Sequence, residues 1–210
     1  MIGHFDPMRK IIRGLKKLRA NSFTLVELLV VISIIGMLAG MAVPAISKGL
    51  EKGKQTVDVS NGRGLGQLFF GYANDTSLGD GSFPTNGTTS TDIFKFLVTN
   101  NFLTTMKVLG GGNVKAPTAS NNITSANVYW AYVTGLTQSE GDVPLLITRG
   151  SVTTVANTNP ISPVMTSPWR DKGFVVVTAD TSASWYTFTN GTVSPKWSAC
   201  TNTNVSVLQP

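Results

Sequence analysis

Glu27 is the residue whose surroundings in the sequence are least favourable for its charge, because it is a carboxylate inside an apolar run. The segment from Phe23 to Val43 has 21 residues, of which 16 are strongly apolar, and none of them is basic. A carboxylate inside such a helix costs about 2.5–3.5 kcal/mol on membrane-insertion scales, so Glu27 needs a partner. The simpler alternative is that Glu27 reaches the membrane interface or is protonated.

Catalytic chemistry has little support elsewhere in the chain. The sole histidine is His4, so the remaining sequence has no imidazole for a catalytic triad, a zinc site or general-base work near neutral pH. The sole cysteine is Cys200, which excludes an intramolecular disulfide. We therefore predict no enzyme activity and no cofactor.

The charge distribution argues against a nucleic-acid partner. The formal net charge is +6, but residues 1–22 hold six basic residues and one acidic residue, a local net charge of +5. The remaining chain has a net charge of +1 and no basic stripe with interleaved aromatic residues. The basic character therefore belongs to an N-terminal leader, residues 1–22.

The apolar run is long enough to span a bilayer. At 1.5 Å per residue, a helix over residues 23–44 is about 30 Å long, which matches the hydrocarbon core of a membrane. The basic leader precedes this segment, so the positive-inside rule predicts a cytoplasmic N-terminus. The chain beyond the segment is then predicted to face outward.

Residues 45–73 are predicted to continue the helix as an amphipathic stem, because Leu65, Leu68, Phe69 and Tyr72 recur at helical spacing. Several glycines oppose this prediction, since each interior glycine costs roughly 1 kcal/mol relative to alanine. The stem therefore needs a domain packed against it. That domain is predicted to occupy residues 74–210.

The outward-facing domain is predicted to begin with a loop and a short helix, roughly residues 93–102, capped by Asp92. Four β-branched or aromatic runs separated by turn residues follow, at residues 128–133, 143–148, 173–178 and 185–189. The last ten residues are predicted to fray. The predicted fold class is α+β, a long N-terminal helix packed on a small antiparallel sheet.

The segment Asn21–Gly36, NSFTLVELLVVISIIG, resembles the class III signal of type IV prepilins and type II secretion pseudopilins. The resemblance implies that prepilin peptidase cuts between Ser22 and Phe23 and that Phe23 is then N-methylated. Ser22 stands where the family usually has glycine. Glu27 matches the acidic fifth position of the family, and Pro44 matches the twenty-second, where filament helices often loosen. Gly36 lowers helix stability nearby.

The resemblance implies a pilin-like fold and a structural role. The expected function is that of a pseudopilin in a type II secretion pseudopilus, a filament that drives protein export. The expected partners are prepilin peptidase, other pilin-like subunits, an inner-membrane assembly platform and membrane lipid. The amine freed at Phe23 of a neighbouring subunit is the expected partner of Glu27, and this pair would set the axial register between subunits.

Several alternatives remain open from the sequence. The chain could instead be a type IV pilus or competence pilin, or a single-pass anchored periplasmic domain of unknown activity. An ordinary signal peptide cut after Gly40-Met-Ala42 is disfavoured because the apolar run is too long. Some major pseudopilins bind calcium, which makes Asp142, Asp171 and Asp180 candidate ligands, but their spacing matches no ligand pattern.

Overall fold

The computed structural model describes residues 23–152, 155, 166–190, 192–193, 197 and 205–210. The leader, with the predicted cleavage residue Ser22, lies outside the described residues, as does Cys200. The chain divides into two compact units between Gly49 and Leu50. Helix α1, Leu25–Asn74, runs through this boundary.

The described part of the first unit is the N-terminal half of α1. Every residue from Phe23 to Gly49 is exposed in the single chain, including all of the large apolar side chains. The helix continues through Pro44 although proline lacks the N–H that an interior position normally donates. Among the described residues of this unit nothing packs on the apolar helix, so lipid or other chains would be needed to remove it from water.

The second unit is built on a five-stranded antiparallel sheet. Its strands are β1 (Trp130–Thr134), β2 (Pro144–Thr148), β3 (Phe174–Thr178), β4 (Ala183–Tyr186) and β5 (Ser206–Leu208). They lie in the order β4-β3-β2-β1-β5. The three central strands are almost completely buried, which explains their continuous apolar sequences.

Residues 50–74 of α1 pack on this sheet through one face. Phe69 is the central contact: its ring stacks on Tyr132 of β1 at a centroid distance of 5.1 Å and meets Phe94 edge-on at 6.1 Å. Leu65 and Tyr72, on the same face, are also buried. The α+β fold with a long helix on a small antiparallel sheet is confirmed.

The short helix begins earlier than predicted. Helix α2 is Ser90–Thr99, and its N-cap is Thr89, whereas Asp92 occupies the third helical position. The Thr89 side chain accepts a hydrogen bond from Asp92 N–H at 3.2 Å, and the Asp92 carboxylate accepts one from Thr89 N–H at 3.0 Å. The assignment of Asp92 as the cap was wrong because this reciprocal capping box moves the start of the helix upstream.

The last two strands also differ from the prediction. Strand β4 begins at Ala183 because a tight turn follows β3, in which Asp180 accepts a hydrogen bond from Ser182 N–H at 2.9 Å. The predicted fraying is wrong for Ser206–Leu208, which pairs with β1 as an edge strand. Gln209 then holds the terminus: its side chain accepts from Gly150 N–H at 2.9 Å and its carbonyl accepts from Ser90 N–H at 3.1 Å.

Two glycines of α1 allow the helix to approach the sheet closely, and this leads to a matched prediction. A Cβ at Gly66 would lie 2.8 Å from Val177 Cγ1, whereas a Cβ at Gly64 would meet nothing within 4 Å. Gly66→Ala is expected to destabilise the fold by about 1–3 kcal/mol through overpacking. Gly64→Ala is expected to stabilise it by about 1 kcal/mol through helix propensity.

Urea unfolding of the detergent-solubilised chain, followed by tryptophan fluorescence, measures both changes. Equal effects of the two substitutions would contradict the observed packing of α1 on β3.

Candidate functional site

The N-terminus of α1 is closed by a capping box that involves Glu27. Thr24 precedes the first helical residue, and its backbone N–H and side-chain Oγ1 donate to Glu27 Oε2 at 2.7 and 2.8 Å. In return, Glu27 N–H donates to Thr24 Oγ1 at 3.2 Å. The carboxylate therefore satisfies a backbone donor that the helix itself cannot pair.

This arrangement adds a local role to the one predicted for Glu27. The role of Thr24 was not predicted, although Thr-x-x-Glu before an apolar run is the sequence signature of a capping box. The pairing of Glu27 with the amine at Phe23 of another subunit stays a prediction. The two roles are chemically compatible, since a carboxylate accepts several hydrogen bonds through two oxygens.

The rest of the exposed helix suits an apolar environment. Ser33, the polar side chain in the middle of the run, donates through Oγ to the carbonyl of Leu29 at 2.7 Å. Its hydroxyl therefore brings no unpaired donor into a bilayer or a helix bundle. Among the described residues, α1 is the one helix long and apolar enough to cross a membrane, judged by length and composition.

The loosening predicted at Gly36 and Pro44 stays a prediction. Ser47 Oγ donates to the carbonyl of Val43 at 3.0 Å, one turn after the proline, and the helix is unbroken there. A Cβ at Gly36 would meet nothing within 4 Å, so no described residue of the first unit requires a glycine there.

In the second unit a buried carboxylate joins α1 to the domain. Asp58 is 3% exposed, and its Oδ2 accepts hydrogen bonds from Trp169 Nε1 at 2.8 Å and from Gly112 N–H at 3.0 Å. Trp169 Nε1 also lies 2.9 Å from the hydroxyl of Tyr129, which accepts from Thr148 Oγ1 at 3.1 Å. Residues from α1, two loops and the sheet therefore meet in one polar cluster.

Burial is the main influence on the pKa values of the titratable groups in this cluster. It raises the pKa of Asp58, against the opposing effects of the hydrogen bonds from Trp169 and Tyr129 and of the nearby charge on Lys54. Burial likewise raises the pKa of Tyr129, so its hydroxyl stays protonated. The cluster holds the stem on the domain through directional contacts that apolar packing alone does not supply.

Asp58 was not singled out from the sequence, although a signal is present. It lies four residues before Gly62 and seven before Leu65, on the same helical face as the buried residues that follow. An acidic residue on the apolar face of a predicted helix indicates a buried hydrogen-bonded group.

The three aspartates considered as calcium ligands do not come together. Asp180 and Asp142 lie in neighbouring turns, which the hydrogen bond from Asp180 N–H to Gly141 O joins at 2.7 Å. Asp171 precedes β3, at the opposite end of that strand from Asp180. Within the described residues, no group of three or more histidine, cysteine or acidic residues is placed to hold a metal ion.

Comparison with known proteins gives one finding. The family model described as the prokaryotic N-terminal methylation motif matches residues 17–43, which include Phe23 and Glu27. No match was found among curated proteins or solved structures. Over residues 17–43 the chain carries the prokaryotic N-terminal methylation motif, which is the class III signal of type IV pilin-like proteins.

Proposed function

We propose that this chain is a pseudopilin of a type II secretion pseudopilus. Prepilin peptidase cuts between Ser22 and Phe23, and Phe23 is N-methylated. The processed subunit then joins a filament that drives protein export. The observation that carries this proposal is the methylation motif at the start of an apolar helix whose residues 23–49 are all exposed in the single chain.

The physical basis of assembly is the exchange of one apolar environment for another. Before assembly the exposed side chains of α1 lie in lipid, with the leader in the cytoplasm and the folded domain in the periplasm. In the filament, the helices of other subunits replace the lipid, so the apolar residues stay out of water in both states. Extraction needs work from an inner-membrane assembly platform, because the subunit has no energy source.

The cysteine content favours a secretion pseudopilus over a pilus. Many pilins staple their C-terminal region with paired cysteines, and this chain has only Cys200. Here hydrogen bonds perform that role: Gln209 Nε2 donates to Val152 O at 3.1 Å, and Gln209 Oε1 accepts from Gly150 N–H. A type IV pilus or competence pilin is the second candidate. Gene deletion distinguishes the two candidates. Loss of protein export with surface pili and DNA uptake unchanged would support the pseudopilin, and loss of pili or of DNA uptake would support the second candidate.

The N-terminal sequence and mass of the chain recovered from host membranes test the processing step. We expect a chain that starts at Phe23 and carries one methyl group on its amine. The same chain made without prepilin peptidase is the control, and it should retain Met1. An intact Met1 in the presence of the peptidase would indicate a plainly anchored domain, and a start at Val43 would indicate a secreted one.

A further inference from the structure

Three loops meet at the end of the second unit where β1 and β3 finish. Loop 75–82 follows α1, loop 135–143 joins β1 to β2, and loop 179–182 joins β3 to β4. Gln138 N–H donates to Gly81 O at 3.0 Å, which links the first two loops, and Asp180 N–H links the third through Gly141 O. These loops contain five acidic residues and no basic residue. This surface, the acidic end, comprises Asp75, Asp80, Glu140, Asp142 and Asp180.

The opposite end of the same strands is basic. Trp130 pairs with Thr148 there, so the residues just after β2 and just before β3 share this end. An ion pair of 2.7 Å between Lys172 Nζ and Glu51 Oε2 brings the start of this unit's helix to the same place. This surface, the basic end, comprises Lys52, Lys54, Arg149, Arg170 and Lys172 with Glu51 and Asp171, a net charge of +3.

The two ends cannot neutralise each other within one copy. Each central strand has five residues, so about 17 Å of sheet separates the ends. That separation is about twice the Debye length at physiological ionic strength, roughly 8 Å. Some of these side chains hold their own turns: Asp75 accepts from Ser77 N–H and Asp180 accepts from Ser182 N–H, both at 2.9 Å. A neutral asparagine would accept the same bonds, so these turns do not require a charge. Gathering like charges at each end opposes folding. The separation of charge is therefore explained better by a contact with another molecule than by the stability of the domain.

We propose that the acidic end of one copy docks on the basic end of a second copy of this chain. The inference rests on the proposed function, because a filament brings many copies into repeated contact. Opposite charges on the two ends make the contact head-to-tail, and a heterologous contact of this kind propagates instead of closing. The charges also exclude the reversed arrangement, in which like ends would face each other.

A second copy accounts for both surfaces, whereas an anionic membrane accounts for only one. Lys52 and Lys54 follow the apolar run in sequence, so attraction of the basic end to lipid phosphates is the competing explanation. Such a membrane gives the five acidic residues of the other end no role. Complementary charge therefore favours the second copy.

Carbodiimide cross-linking tests the contact, because this reagent joins a carboxylate to a lysine amine only when the two touch. The full processed chain is used, in vesicles of neutral lipid, as an equal mixture of unlabelled and isotope-labelled copies. We expect mixed-isotope links between peptides of the acidic end and peptides holding Lys52, Lys54 or Lys172. These links should weaken at high salt, where screening shortens the range of the attraction.

Two charge-reversal double variants test the contact further, one at the basic end and one at control positions elsewhere. Lys52→Glu with Arg170→Asp changes the basic end from a net charge of +3 to about −1 and should reduce the links between the ends at least tenfold. Aspartate suits position 170, where the backbone φ is 52°. Arg63→Glu with Lys95→Glu makes the same change in total charge at exposed positions outside both ends, and cross-linking should be unchanged.

Two results would overturn the inference. One is equal cross-linking of the two double variants, and the other is mixed-isotope links that join surfaces other than the two ends. If the basic-end variant instead loses only binding to phosphatidylglycerol vesicles, the partner is the membrane and the inference is wrong. Failure here leaves the proposed function intact if the chain still starts at methylated Phe23, so the two can fail separately.

Discussion

Glu27→Ala is expected to leave cleavage before Phe23 unchanged and to reduce filament assembly by at least about tenfold. The substitution removes the only carboxylate of the apolar run, and with it the predicted partner of the amine at Phe23 of a neighbouring subunit. An amine left unpaired among apolar helices costs several kcal/mol, and each 1.4 kcal/mol is about tenfold in an equilibrium. Quantification of sheared or sedimented filaments against processed subunit measures the loss.

Two further variants separate the charge of Glu27 from its local contact with Thr24. Glu27→Gln keeps an acceptor for the capping box but removes the negative charge. Thr24→Ala keeps the charge but removes the side-chain partner observed at 2.8 Å. If ion pairing between subunits drives assembly, Glu27→Gln fails as Glu27→Ala does and Thr24→Ala assembles. The opposite pattern would show that helix capping is the role that matters.

Asp58→Ala is expected to destabilise the second unit by about 2–4 kcal/mol. The substitution leaves the half-buried N–H of Gly112 without its acceptor and removes one of the two acceptors of Trp169 Nε1. An unsatisfied buried donor costs about 1–3 kcal/mol, and the lost side chain adds a small cavity. Urea unfolding of the full chain measures the change, and increased proteolysis of α1 after Leu50 would show that the stem has been released.

The pH dependence of the same position gives an independent check. Because burial raises the pKa of Asp58 in the folded state, the folded chain binds this proton more tightly than the unfolded chain does. The contribution of this group to stability is therefore largest below the unfolded pKa of about 4 and is lost as pH rises through the folded value. Asp58→Asn should remove this part of the pH dependence while keeping an acceptor for Trp169.

Asp92 provides the internal contrast for that experiment. Its hydrogen bonds to Thr89 lower its pKa, so its contribution is present above the unfolded pKa and is lost as pH falls through the folded value. Asp58→Asn and Asp92→Asn should therefore change the stability–pH curve in opposite directions. Changes in the same direction would contradict the placement of Asp58 in a buried cluster.

The sequence alone was sufficient for the features that depend on local pattern. The apolar run with its single carboxylate, the basic leader before it and the motif around Phe23 are properties of neighbouring residues, and no tertiary contact is needed to recognise them. Strands β1, β2 and β3 were found within one or two residues of their observed bounds, because buried β-branched runs between turn residues are a local signal.

Features set by contacts distant in sequence required the tertiary structure. The three residues of β5 are too few for a sequence signal, and they form a strand only because β1 offers an open edge. Gly62 and Gly66 weakened the predicted stem, yet they are the positions where α1 lies against Trp130 and Val177. The partners of Asp58 lie 54 and 111 residues away, so only the folded chain identifies them.

The two units differ in how much of them can be predicted from sequence, and the reason is physical. The first unit can be recognised from sequence because a membrane-compatible helix is defined by its length and apolar composition, and not by contacts within the chain. The second unit depends on pairing between distant segments, where one hydrogen bond or one missing Cβ decides the fit. The sequence thus determined that the chain carries the methylation motif on a helix long and apolar enough to cross a membrane. The tertiary structure decided how the second unit is held together and where its opposite charges lie.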